Sequence, residues 1–262
     1  MAAPEPTGQD AVSYERRGPA ALITIDRPHR RNAVDGLTAA ALHDAYQRFE
    51  SDTEARVLVV TGAGGISFCA GADLKATETM AGRLMSREGP MGFTRLTATK
   101  PTIAAISGFC LAGGLEIALW CDLRIATPSS RLGYPERRWG VPLIDGGTQR
   151  LPRIVGLGRA LDLIITGRII DAEEAMGMGL LTEIVPEGEH LSRALEMAEN
   201  IAAFPQPTML ADRMAAIEGL GMPLADGLAL EASSGPEVFE DGARGARRFA
   251  AGEGRGGAGA GA

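Results

Sequence analysis

The sequence has little of what metal and disulfide sites are made from. Its three cysteines, Cys69, Cys110 and Cys121, are odd in number and show no Cys-x-x-Cys spacing, so neither a disulfide framework nor a cysteine zinc site is indicated. They read as buried thiols of a reducing compartment, and a cytoplasmic location is expected. His29, His43 and His190 are scattered and form no His-Glu-x-x-His pattern, which argues against a histidine metal centre. No apolar run approaches the ~18 residues of a membrane span, and residues 1–10 lack the apolar stretch of a secretory signal. Neither a Gly-x-Gly-x-x-Gly fingerprint nor a Walker loop is present, so nicotinamide and ATP roles have no support. Basic residues (26) are outnumbered by acidic ones (33), and the net charge of -7 argues against a general nucleic-acid surface.

What is present is an ordinary globular composition, 45% hydrophobic and 23% charged, in a 262-residue chain long enough to bury a sizeable core. Strand-like apolar runs at 20–25, 56–61, 102–106, 123–126 and 181–185 alternate with helical spacing, and this order predicts an α/β fold. Leu37, Ala41, Leu42, Ala45 and Phe49 recur at helical intervals and predict a crossover helix between the first two strands. From about residue 190 the chain turns to Ala- and Leu-rich helical stretches at 191–203, 207–220 and 224–248. The expected organisation is an α/β core over 1–189, a helical region over 190–251 and a flexible Gly/Ala tail over 252–262.

One stretch is built for chemistry. Gly108-Phe109-Cys110-Leu111-Ala112-Gly113-Gly114-Leu115-Glu116 is an apolar, glycine-rich loop running into a helical segment, and it carries one carboxylate; Glu136 follows twenty residues later. Glycines at a loop-to-helix junction leave backbone N–H groups uncovered and oriented by the helix dipole, where developing negative charge is held beside an acid or base. Plain alternatives exist: the glycines make turns, Glu116 complements a helix N-terminus, and Glu136 pairs with Arg137 or Arg138.

A companion loop, Phe68-Cys69-Ala70-Gly71-Ala72-Asp73-Leu74-Lys75, follows the second strand. Together with Arg27-Pro28, Asn32-Ala33, Lys100-Pro101-Thr102, Cys121-Asp122-Leu123-Arg124 and Gly146-Gly147-Thr148-Gln149-Arg150-Leu151-Pro152, it makes the chain resemble the crotonase, or enoyl-CoA hydratase/isomerase, family in order and spacing from residue 20 to 185. The resemblance implies a crotonase-like spiral of ββα units, a helical C-terminal trimerisation region, a homotrimer or dimer of trimers, and acyl-CoA thioester substrates. It implies no metal and no separate cofactor, coenzyme A being part of the substrate. The oxyanion donors it implies are the amides of Ala72 and Gly113. It assigns Glu116 chiefly to water activation and Glu136 chiefly to proton delivery at the α-carbon of a 2-enoyl-CoA, giving a 3-hydroxyacyl-CoA, with the two titrating as a coupled pair.

Ala70 and Ala72 match backbone positions near the CoA adenine, and Lys75 matches a phosphate-side basic residue or is a solvated surface lysine. Two departures stand out. Arg137 and Arg138 follow Glu136 where apolar residues are usual, and cations there lower a carboxyl pKa. Asp145 stands in Val141-Pro142-Leu143-Ile144-Asp145 where a small residue is typical. Asp145 reads either as a third carboxylate on the pocket, which suits an enoyl- or dienoyl-CoA isomerase, or as a cap on the helix beginning at Gly146. Asp73 and Asp122 are expected to hold loops. Met80, Leu84, Met85, Met91 and Phe93 in 77–97 read as an acyl-tail border or as ordinary core. A non-catalytic acyl-CoA-binding protein is the reading from another class.

Overall fold

Strand β2 (Ala20–Ile25) and strand β3 (Val57–Gly62) are almost wholly apolar because both faces of their sheet are covered, and β3 is buried along its full length. The chain is described by a computed structural model over residues 11–253; residues 1–10 and the part of the Gly/Ala tail from 254 to 262 lie outside the described residues. The described chain divides into two compact units, one reaching Ala198 and one starting at Glu199.

The first unit is built on two sheets. The larger has six strands in the order β1 (Val12–Arg17), β2, β3, β5 (Thr102–Ile106), β7 (Leu123–Ala126) and β10 (Glu183–Ile184). Only β1 runs antiparallel to its neighbour; from β2 onward every pairing is parallel. The smaller sheet takes β4 (Ser67–Cys69), β6 (Phe109–Leu111), β8 (Arg131–Gly133) and β9 (Ile169–Asp171). Each step β3–β4, β5–β6 and β7–β8 lays one strand in each sheet, and the next step lands on the adjacent position in both. This stepwise advance is the winding that the resemblance implies for the fold.

Helix α1 (Gly36–Ser51) is the expected crossover between β2 and β3. Asp35 caps it, its carboxylate accepting from the Thr38 amide at 2.8 Å. Its buried face is Thr38, Ala39, Leu42, Ala45, Tyr46 and Phe49. Leu37, placed on the apolar stripe by spacing, is instead 65% exposed, and the buried stripe starts one residue later at Thr38.

Helix α2 (Gly113–Trp120) is buried at every position, so it shows no amphipathic face. The rest of the first unit is α3 (Gly147–Val155), α4 (Leu157–Thr166), α5 (Ala172–Gly177) and most of α6 (His190–Ala203). The strand expected over 181–185 pairs only at Glu183 and Ile184. In the second unit α7 (Gln206–Gly219) and α8 (Leu224–Ala250) bury no residue fully, and Leu224, Phe239 and Phe249 are exposed. Among the described residues no helix is long and apolar enough to cross a membrane.

Candidate active site

The two glycine-rich loops meet. Gly71 has φ +91°, and a Cβ placed on it would lie 2.7 Å from Ala112 Cβ and 2.9 Å from the Gly113 nitrogen, so only glycine lets the first loop approach the second this closely. The segment after β4 is knitted to the segment before α1: the Val34 amide donates to Gly71 O and the Asp73 amide to Val34 O, each at 2.8 Å. That parallel bridge uses the groups on either side of Ala72 and leaves the Ala72 N–H unengaged. Gly113 is the first residue of α2, where helix geometry supplies its N–H with no partner. Ala112 before it takes φ +54°, a rare value for a residue with a side chain, and its own amide is spent on Gly133 O at 2.9 Å. The two amides named from sequence are thus open, and both residues line one cavity of about 400 Å³.

A buried guanidinium fixes this arrangement. Arg27 pairs with Asp35 at 2.9 Å and Asp73 at 3.1 Å, and donates to Ala33 O at 2.5 Å, so it ties the α1 cap to the first loop. Asn32, at φ +56°, donates to Ser67 O and Ala63 O and accepts from the Arg27 amide. Asp73 also accepts from the Lys75 amide, and Asp122 accepts from the Thr102 amide, so both hold loops as expected.

Glu116, Glu136 and Asp145 all line the same cavity. Glu116, on the first turn of α2, accepts at Oε1 from the amides of Gly147 (2.7 Å) and Asp145 (3.0 Å). Burial pushes its carboxyl up to about 8, the nearby Asp145 charge adds to this, and the two amides oppose it. Glu136 is buried with neither carboxylate oxygen hydrogen-bonded, and burial pushes it up to about 7. The ion pair with Arg137 or Arg138 does not form: both arginines are exposed, and desolvation outweighs the lowering by the residue's own backbone amide and by Arg137. The departure from the usual sequence therefore leaves a carboxyl that holds its proton more tightly than a free one.

Asp145 does not cap α3, whose N-cap is Gly146 without a side-chain bond. Its Oδ1 accepts from the Met91 amide at 2.9 Å and from Thr94 Oγ1, anchoring the 91–94 loop against the cavity. Its backbone is needed to hold Glu116, and its side chain to hold Met91.

The remaining wall is apolar. Met80, Leu84, Met91, Trp139, Val141 and Ile144 line it, whereas Met85 is 91% exposed and Phe93 is core. Ala70 lines the cavity beside Ala72; Lys75 is exposed and away from the lining. The cysteines are buried and unpaired. Among the described residues no group of three or more His, Cys, Asp or Glu side chains is placed to hold a metal ion.

Sequence reasoning missed three contributors: the Gly147 and Asp145 amides on Glu116, the Asp145–Met91 anchor, and Tyr134, whose hydroxyl lies beside the carboxylates. Main-chain donors carry no residue-type signal. Tyr134 had one, a large polar aromatic directly before Pro135-Glu136.

Comparison with known proteins identifies the family. The sequence model described as enoyl-CoA hydratase/isomerase matches residues 15–249. The chain is 38% identical over 232 residues to the short-chain-enoyl-CoA hydratase of Clostridium acetobutylicum, covering 87% of this chain and 89% of that protein. It is 38% identical to the (E)-benzylidenesuccinyl-CoA hydratase of Thauera aromatica, covering 83% and 86% respectively. The solved structure of an enoyl-CoA hydratase from Mycobacterium marinum superposes with a TM-score of 0.86 at 36% identity, covering 92% of this chain and 95% of that one.

Proposed function

The chain belongs to the enoyl-CoA hydratase/isomerase family, and from that premise we infer that it is an enoyl-CoA hydratase, adding water across the 2,3 double bond of a 2-enoyl-CoA. One observation carries this: two buried carboxylates with raised proton affinity line the same cavity as two backbone amides that have no partner.

The chemistry follows from that pairing. As the water oxygen bonds to C3, the C2–C3 π electrons move toward the thioester and charge gathers on its carbonyl oxygen. The Ala72 and Gly113 amides hold that oxygen, and a preorganised donor of this kind is worth about 2.7–4 kcal/mol. Glu116 takes a proton from the water and Glu136 gives one to C2, which completes the 3-hydroxyacyl-CoA. Burial raises both carboxyls, to about 8 and about 7, so a proton is available within the pair near neutral pH, as this exchange requires. No electrons are transferred, so no redox cofactor is called for, and coenzyme A enters only as part of the substrate. Backbone at Ala70 and Ala72 receives its adenine and Lys75 its phosphate.

The isomerase alternative has Asp145 on the cavity wall in its favour. Against it, that carboxylate is engaged by Met91 and Thr94. A purely binding role leaves the unpartnered, protonatable Glu136 without a purpose. The exposed apolar side chains Leu224, Phe239 and Phe249 of the second unit support self-association, and we place the assembly at a homotrimer or dimer of trimers in the cytoplasm.

The test is the ultraviolet band of the conjugated thioester. Its loss when the protein meets a 2-enoyl-CoA supports hydration; its appearance from a 3-enoyl-CoA, with none lost from the 2-enoyl isomer, replaces hydratase with isomerase. Tight binding with neither change supports the binding role.

A further inference from the structure

Tyr134 sits between β8 and the short helical turn that carries Glu136, and its ring is fully buried. Its hydroxyl has no hydrogen-bond partner. A buried O–H left without a partner is costly, and native structures retain one chiefly where something else will engage it. This hydroxyl faces Glu116 across bare backbone. A Cβ on Gly147 would stand 2.7 Å from Tyr134 Oη and 3.0 Å from Glu116 Oε1, so the phenol and the carboxylate approach the same point. Burial, with the charges of Glu116 and Glu136 adding, pushes the phenol well above its ordinary value, so it keeps its proton and remains available to donate.

The two glutamates are not equivalent in their surroundings. Glu116 is faced by Asp145 from the loop before α3, by Arg150 from α3, and by Glu136 and Tyr134 from the segment after β8. Cys110 of β6 stands behind Tyr134. Burial and the Asp145 charge raise Glu116 to about 8, whereas burial nearly alone raises Glu136 to about 7. Burial and the Asp145 charge both work against ionisation of Glu116, the group that must be bare to take a proton from water.

We propose that Tyr134 is a positioning residue that decides which glutamate carries the negative charge: its buried hydroxyl donates to the Glu116 carboxylate when that group is ionised. The donation leaves the shared proton on Glu136, beside C2. The proposal rests on the hydratase reading for its catalytic consequence, and on geometry alone for the contact.

The test is Tyr134→Phe, which removes an oxygen that has no partner while Glu116 is neutral and should leave the melting temperature near pH 5 unchanged or raised. The acid limb of kcat/KM for a 2-enoyl-CoA should move up by about one pH unit, the worth of a hydrogen bond to a charged group. Activity near neutrality should fall up to about tenfold, and the variant should converge with wild type on the falling alkaline limb, where Glu136 gives up its proton, with KM unchanged there. In a Glu116→Gln background the same substitution should do nothing further. An unmoved limb, or an equal loss at every pH, overturns the proposal. An activity-free readout accompanies it: the infrared carboxyl band that disappears in Glu116→Gln, titrated in unliganded protein, should shift upward by the same amount in Tyr134→Phe. If the wild-type protein hydrates no enoyl-CoA, the hydratase reading falls, and this band alone decides whether Tyr134 acts on Glu116.

Discussion

The amide of Gly147 donates to Glu116 Oε1 at 2.7 Å, and there is no room for a side chain where they meet. Gly147→Ala drives a methyl group to within 3.0 Å of Glu116 Oε1 and 2.7 Å of Tyr134 Oη, so the helix start or the carboxylate must shift. A displacement near 1 Å at a reacting group costs about 10²-fold. Steady-state kinetics should show a fall of this size in kcat, with KM for the enoyl-CoA changing far less.

Glu116→Gln and Glu136→Gln each remove one proton-transfer group and keep the shape of the site. Each should lower kcat by about 10²–10⁴-fold. Binding of a saturated acyl-CoA, measured by calorimetry, should persist in both variants. Full activity in either one removes that residue from the mechanism.

The same two carboxyls predict how stability depends on pH. Both are held above the ordinary value of 4.5, at about 8 for Glu116 and about 7 for Glu136, so over that interval the native protein binds more protons than the unfolded chain. Their contribution to stability is complete at acid pH and is lost as pH rises through the folded values. Thermal melts of Glu116→Gln should therefore exceed wild type at pH 8, by about 2–4 °C for each kcal/mol recovered, and converge with it near pH 5.

Arg27 neutralises two carboxylates with side chains 19% and 7% exposed, those of Asp35 and Asp73. Arg27→Met leaves both carboxylates without the cation that neutralises them. Denaturant titration should show a loss of about 3–5 kcal/mol, the usual consequence of breaking a buried pair from one side.

Sequence patterning exposed β2, β3, β5 and β7 because a strand covered on both faces is mostly apolar, Arg124 of β7 being the charged exception. It exposed α1 because a helix over a sheet is apolar on one side only. The smaller sheet stayed hidden: Ser67–Cys69, Phe109–Leu111 and Arg131–Gly133 are three residues each, too short for any alternation to declare itself. Strand β1, with the sequence VSYERR at a sheet edge, reads as solvated surface. At the site, the ordered motifs pointed to Ala72, Gly113, Glu116 and Glu136, and the folded chain brings all four to one cavity. Their supports were not legible, since the amides of Asp145 and Gly147 belong to no residue type. Asp145 was read through its side chain alone, yet its main chain and its carboxylate do different work.

The contact between Gly71 and Gly113 has a last consequence. Two loops that share a van der Waals surface cannot part or close independently, so the cradle for the thioester oxygen is finished when the chain folds and does not await a ligand. Any motion that turnover demands must then be sought along the flank of Leu84 and Trp139, exposed side chains of the cavity wall.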